Sequence, residues 1–139
     1  MNIAQYKPVI LVLFGYLGVW YLFLYSQAIW VWLEYFKKRS SDPSGAKLKS
    51  IKYGANPDRL VYDRTVGNLM EQSVPFLVSL LLSAAFAGDM AWTAKLGWSY
   101  VGVRLFYPLF FSKGLLVTVV TIPNYLSIFL LLYSVWQKL

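Results

Sequence analysis

Four runs of mostly apolar residues recur along the chain, each close to the roughly 20 residues that a helix needs to cross a bilayer. They cover about residues 8–35, 63–87, 91–111 and 115–136. The composition agrees, with 58% hydrophobic residues, 19% aromatic residues and a mean hydropathy of +0.52, all high for a soluble domain. The sequence therefore predicts an all-α integral membrane protein, folded as one domain over residues 1–139 into an up-down four-helix bundle.

The basic residues predict how this bundle sits in a membrane. The net charge is +7, and most cations lie in or beside the connection 37–62. Because cytoplasmic loops are enriched in Lys and Arg, we expect this loop on the cytoplasmic side and both termini on the opposite side. The first run, from Val9 to Phe36, is too long for a signal-peptide core, so we expect it to stay as a span. The membrane itself is left open: endoplasmic reticulum, another organelle or a bacterial inner membrane.

The residue types that are missing narrow the chemistry. The chain has no cysteine and no histidine. A disulfide framework, a thiolate nucleophile, an ordinary zinc site and a histidine base are therefore excluded, and we predict no metal site. The basic loop is also more typical of a topology signal than of a nucleic-acid surface, so no nucleic-acid partner is expected.

The most informative polar residues lie at the start of the second run. Arg64, Asn68, Glu71 and Pro75 fall within about 60° of one helical face. An ionised side chain at mid-bilayer costs roughly 2.5–3.5 kcal/mol, so such residues usually face an interior or a wet cavity. Two interpretations stay open: a structural Arg64–Glu71 ion pair, or a ligand site.

A second cation favours the ligand site. Arg104 lies in the third run with Tyr107 one turn later, and the up-down topology brings both toward the cytoplasmic end near Arg64. Arginine offers a planar fork to carboxylates, and Glu71 can accept from an ammonium. These groups suit a ligand with several carboxylates and an amine, while the apolar walls suit a second ligand from the lipid.

Other faces predict helix contacts. Ser79, Ser83 and Ala87 form a small-xxx-small series that allows close helix approach. On the fourth run, Thr118, Thr121 and Tyr125 share a mildly polar face that we expect to contact other helices. A face of the first run is expected to look into the bundle; it carries Tyr16, Trp20, Phe23, Gln27, Trp30 and Glu34.

The pattern Arg64-x-x-x-Asn68-x-x-Glu71-x-x-x-Pro75-Phe76-Leu77 resembles the signature of the membrane-associated proteins in eicosanoid and glutathione metabolism (MAPEG). Val103-Arg104-Leu105-Phe106-Tyr107 is similar to the signature on the family's third helix. This resemblance spans essentially the whole chain. It implies a homotrimer that holds glutathione between subunits near the cytoplasmic face. By position, the implied glutathione ligands are Arg64, Asn68, Glu71, Arg104, Tyr107 and, at the end of span 1, Lys38 or Lys37.

The sequence departs from the family where catalysis is concerned. Catalytic members carry an arginine near the start of the fourth helix that stabilises the glutathione thiolate, but residues 114–121 contain no cation. Phe111 stands where a second tyrosine is found. A thiol of pKa about 8.5 stays mostly protonated at neutral pH without a positive group. Lys113, Thr118 and Thr121 are at most weak substitutes, so catalytic residues are not assigned.

Two functions follow. The first is a membrane glutathione-binding protein, acting as a transferase or peroxidase on hydrophobic or lipid electrophiles if it is catalytic. The alternative is a non-catalytic, lipid-binding or structural subunit of a larger membrane complex. A channel or transporter is disfavoured because the chain shows no internal repeat.

Overall fold

The computed structural model describes residues 3–54, 57–111 and 117–139, without the side chains at positions 3, 57, 58, 111 and 117. Regular structure in these ranges is entirely helical, which confirms the all-α prediction for the described chain. A π-helical turn, Ser83–Ala87, continues the third helix. The α-helices are α1 (Ile3–Ser41), α2 (Leu48–Tyr53), α3 (Pro57–Leu82), α4 (Met90–Phe111) and α5 (Val117–Trp136).

Within the described residues, three helical stretches are long and apolar enough to cross a membrane: Ala4–Ser41, Arg59–Ala87 and Thr118–Trp136. These fit three of the four predicted spans. The sequence predicts α4 as the remaining span, but it is not among these stretches within the described residues. It carries Lys95 and Arg104 together with polar Thr93 and Ser99, which lower its hydropathy. The integral membrane class is thus supported, and the four-span bundle stays a prediction.

The predicted connection 37–62 is largely helical. α1 continues through the basic segment to Ser41, since Lys and Arg are good helix formers and Pro43 is the first strong breaker. Within the connection, Leu48–Tyr53 forms the short α2. Ile51 is buried and α2 contacts α1. The described chain therefore has five α-helices rather than the predicted four. The additional helix is α2, which is held against α1 by its buried Ile51 side chain.

Aromatic residues join three of the long helices. α4 contacts α1, α3 and α5, so it lies among the others. Tyr16 of α1, Phe76 of α3 and Tyr100 of α4 are fully buried. The Phe76 and Tyr100 rings stack with centroids 3.9 Å apart, and Tyr16 lies 5.1 Å from Phe76. Tyr16 belongs to the face of α1 that the sequence predicts to look inward.

The α3–α4 connection is tight. Gly88 has φ +78°, a left-handed conformation that glycine adopts without steric cost. Asp89 then accepts a hydrogen bond from the Trp92 backbone N–H at 2.8 Å, which satisfies one of the free donors at the start of α4. So short a connection requires α3 and α4 to run antiparallel. Ser79, Ser83 and Ala87 are all buried, as the small-residue series predicts.

The polar face predicted for α5 is confirmed in part, because the Tyr125 hydroxyl accepts a hydrogen bond from Gln72 of α3. Thr118 and Tyr125 are exposed in the chain, whereas Val120, Asn124 and Ser127 are buried. The Ser127 hydroxyl donates to the Pro123 carbonyl at 2.9 Å, so Ser127 satisfies its polarity within the helix and can be buried.

We predict that Gly97→Ala destabilises the contact between α1 and α4. A Cβ at position 97 would lie 2.6 Å from Val12 Cγ1 and 3.0 Å from Leu80 Cδ1. Overpacking of this kind costs about 1–3 kcal/mol, which exceeds the gain in helix propensity. The midpoint of thermal unfolding in detergent should fall. Gly102→Ala in the same helix is the control, because a Cβ there meets no described atom within 4 Å. Equal midpoints for the two variants would contradict the close approach.

Candidate functional site

An open cleft of about 590 Å³ lies on one face of α3. Its lining includes Arg64, Asn68 and Glu71, three of the residues that the sequence singles out, together with Tyr107 from α4. Their spacing on α3 explains the arrangement, since positions three and four apart on a helix lie above one another. The helical pattern and the antiparallel α3–α4 pair therefore bring four of the six predicted ligand residues to one place. The rest of the lining is Leu60, Asp63 and Gly67.

Arg64 and Glu71 do not neutralise each other. Both side chains are exposed, and the salt bridges between described residues do not include an Arg64–Glu71 pair. The structural ion pair that the sequence leaves open is therefore not formed. Both charges instead border the cleft, where a ligand can meet them.

Arg104 lies behind the cleft rather than on its wall. It is only 3% exposed. Its Nη1 donates to Asn68 Oδ1, and its Nη2 donates to the Tyr100 hydroxyl at 3.1 Å. The guanidinium also lies 5.9 Å from the centre of the Tyr107 ring. Arg104 therefore supports two residues of the cleft wall, Asn68 and Tyr107, and adds its positive charge from inside.

Lys38 lies apart from this cluster. It is exposed in the last turn of α1 and does not line the cleft of its own chain. Its neighbour Lys37 is within 3.9 Å of Glu34, a loose pair at the helix surface. Two further candidates, Lys113 and the side chain of Phe111, lie outside the described residues.

Asp63 also lines the cleft and is already paired. Arg59 Nε lies 3.0 Å from an Asp63 oxygen, and Gln27 of α1 donates to the same carboxylate. Counting Arg64 and Arg104 against Glu71 leaves the cleft with one net positive charge. This balance favours an anionic ligand that also carries one cationic group.

Sequence reasoning missed one polar contact between helices and one buried amide. Gln72 donates to the Tyr125 hydroxyl at 2.9 Å and so connects α3 to α5. Asn124 is 1% exposed, and neither atom of its amide has a hydrogen-bond partner among the described residues. The signal for Asn124 was present, because an amide in the middle of an apolar run is costly unless it is satisfied.

Comparison with known proteins gives one result. The model of the MAPEG family matches residues 10–138, essentially the whole chain. Neither the curated proteins nor the solved structures contain a match to the chain.

We predict that Asn68→Leu lowers stability more than Arg64→Gln does. The first change removes an acceptor from the buried Arg104, and leaving a charged donor unpaired costs roughly 1–3 kcal/mol or more. The second alters an exposed side chain that has no salt bridge to another described residue, so its effect should stay within about 0.5 kcal/mol. Thermal unfolding in detergent measures both. An unchanged midpoint for Asn68→Leu would contradict the supporting role of Arg104.

Proposed function

The chain belongs to the MAPEG family, and from this membership and the cleft on α3 we propose that it binds glutathione within the membrane. The family and the three long apolar helices make it an integral membrane protein. The observation that carries the proposal is the cleft itself, in which Arg64 and Glu71 both face open space instead of each other.

The cleft matches the functional groups of glutathione, which has two carboxylates and one ammonium. Arg64 offers a planar fork to one carboxylate, and Glu71 accepts from the ammonium. Asn68 contributes its amide nitrogen. Because its Oδ1 already accepts from Arg104, the Nδ2 group is left to donate to a ligand oxygen. Tyr107 adds a phenol to the same wall.

We place this cleft between subunits of a homotrimer. Exposed Arg64 and Glu71 on a membrane helix would each cost roughly 2.5–3.5 kcal/mol near mid-bilayer if lipid covered them. A second copy of the chain removes that cost by covering the face. Lys38 does not reach its own chain's cleft, but the basic end of a neighbouring α1 can bring a Lys38 to a ligand carboxylate. In this proposal the basic loop lies on the cytoplasmic side of the membrane. The bilayer supplies a hydrophobic second substrate.

If the bound glutathione reacts, its thiolate sulfur attacks an electrophilic carbon, a new C–S bond forms and the leaving group departs with its electron pair. This step needs a lowered thiol pKa. One observation favours a second candidate function. The described part of α5 contains neither Lys nor Arg, so it offers no cation to the thiolate. That observation favours a non-catalytic member that binds glutathione or lipid as a subunit of a membrane complex.

We predict that the purified protein binds glutathione with micromolar to millimolar affinity and that Arg64→Ala abolishes binding. The reason is the loss of the one arginine that borders the cleft. Calorimetric titration in detergent measures this. Arg39→Ala is the matched control, because Arg39 lies at the exposed end of α1 and donates to Tyr35. If neither wild type nor control releases heat with glutathione, the ligand is wrong.

A transferase assay with chlorodinitrobenzene separates the two candidates. Conjugation above the uncatalysed rate, lost in Arg64→Ala, is expected of a transferase. Binding without conjugation above background assigns the protein to the non-catalytic candidate.

A further inference from the structure

A second, more apolar groove is lined by Arg59, the partner of Asp63 in the ion pair at the cleft. It has a volume of about 420 Å³ and is formed by α1, α2 and the first turn of α3. Asp63 lines the cleft, whereas Arg59 lines this groove. The two surfaces are therefore distinct, and what binds in the groove does not depend on the glutathione proposal.

The groove is apolar along α1 and basic at its edge. Leu24, Ala28 and Val31 contribute to its apolar wall, while Lys52 and Arg59 supply the cations. Its lining within the described chain contains no acidic side chain. Arg59 is held in place by Asp63 and by a 3.2 Å hydrogen bond to the Ile51 carbonyl. That pair is neutral, so Lys52 leaves the mouth of the groove with net positive charge.

Lys52 is available to an external anion. It is exposed, and among the described residues no carboxylate lies within salt-bridge distance of its ammonium. Its ammonium lies 5.4 Å from the centroid of the Tyr53 ring.

The groove continues into an exposed apolar strip along α1. Phe14, Leu17, Tyr21 and Tyr25 follow one another at intervals of three or four residues and are all exposed. The Tyr21 and Tyr25 rings stack at 5.9 Å and form a flat surface. This strip leads away from the basic loop toward the other end of the helix, along the direction that a lipid acyl chain takes.

The position along α1 places the groove near the headgroup level. α1 has 39 residues, so at about 1.5 Å per residue it is much longer than the roughly 30 Å hydrocarbon core. The helix leaves the membrane at its basic end, where Lys38 and Arg39 lie. Trp32 borders the groove less than two turns earlier, where aromatic side chains meet headgroups.

From these observations we infer that the groove binds one anionic phospholipid, with its phosphate at Lys52 and Arg59 and an acyl chain along the exposed strip of α1. A free phosphate would use the cations alone. A lipid uses both the cations and the apolar wall, which is the larger part of the groove.

Native mass spectrometry of the full-length protein tests this in detergent that contains phosphatidylglycerol and phosphatidylcholine. Wild type should retain phosphatidylglycerol in preference. Because one basic residue near an anionic headgroup is worth about a fivefold change in binding, Lys52→Glu should remove the preference by at least that factor. Lys49→Glu is the matched control. Lys49 is exposed on the same short helix but does not line the groove, so its variant should keep the preference.

Two further experiments distinguish a lipid-binding site from non-specific attraction to the positively charged surface. Ala28→Trp fills the groove without altering a charge and should also reduce retained phosphatidylglycerol. Inorganic phosphate should not displace the lipid. The inference is overturned if Lys49→Glu loses as much lipid as Lys52→Glu, if Ala28→Trp has no effect, or if phosphate competes as well as the lipid does.

Discussion

A guanidinium buried in a membrane bundle must find its hydrogen-bond acceptors within the protein, because the hydrocarbon core offers none. Arg104 meets this requirement at its two Nη groups, which donate to Asn68 of α3 and to Tyr100 of its own helix, while its buried Nε has no partner among the described residues. The Arg104 Nη1 group receives its acceptor on α3 only in a register that places Asn68 beside Arg104. The buried Phe76–Tyr100 stack holds the same two helices together, so polar and apolar contacts select the same arrangement. The cleft depends on that register.

The polar residues on this face of α3 therefore fall into two groups: one contacts Arg104, and the others are exposed. Asn68 is half-buried and gives its oxygen to Arg104, while Arg64 and Glu71 on either side of it remain exposed. The bond to Arg104 orients the Asn68 amide in the chain itself, and a preorganised donor binds with less loss of entropy. It also explains why Arg104, although predicted as a ligand residue, acts on the cleft through a neighbour.

Local periodicity accounts for what the sequence predicts well. Arg64, Asn68 and Glu71 share a face because helical spacing alone decides it, and the buried series Ser79, Ser83 and Ala87 follows for the same reason. Contacts between distant residues do not follow from spacing. The Gln72–Tyr125 bond joins positions 53 apart, and its partners could not be chosen from two helical wheels.

Sequence patterns also do not predict which residues are buried against another helix. The six residues of α2 make fewer than two helical turns, too few to show a repeating hydrophobic pattern. This short helix is stabilised by the burial of Ile51 against the rest of the chain. Asn124 was visible as a polar residue in an apolar run, but which side of α5 turns inward depends on contacts that no hydropathy pattern encodes.

The exposed charges on α3 constrain the functional state further. One chain alone leaves Arg64 and Glu71 uncovered on a helix that is apolar enough to cross a membrane. The cost of roughly 2.5–3.5 kcal/mol for a charge at mid-bilayer applies to Glu71, near the middle of the Arg59–Ala87 stretch, and is an upper bound for Arg64, near its start. Folding into the isolated bundle does not relieve that cost, since the two side chains form no pair with each other. Relief therefore has to come from outside the isolated chain, for example from water held in the cleft, a charged ligand or a second subunit.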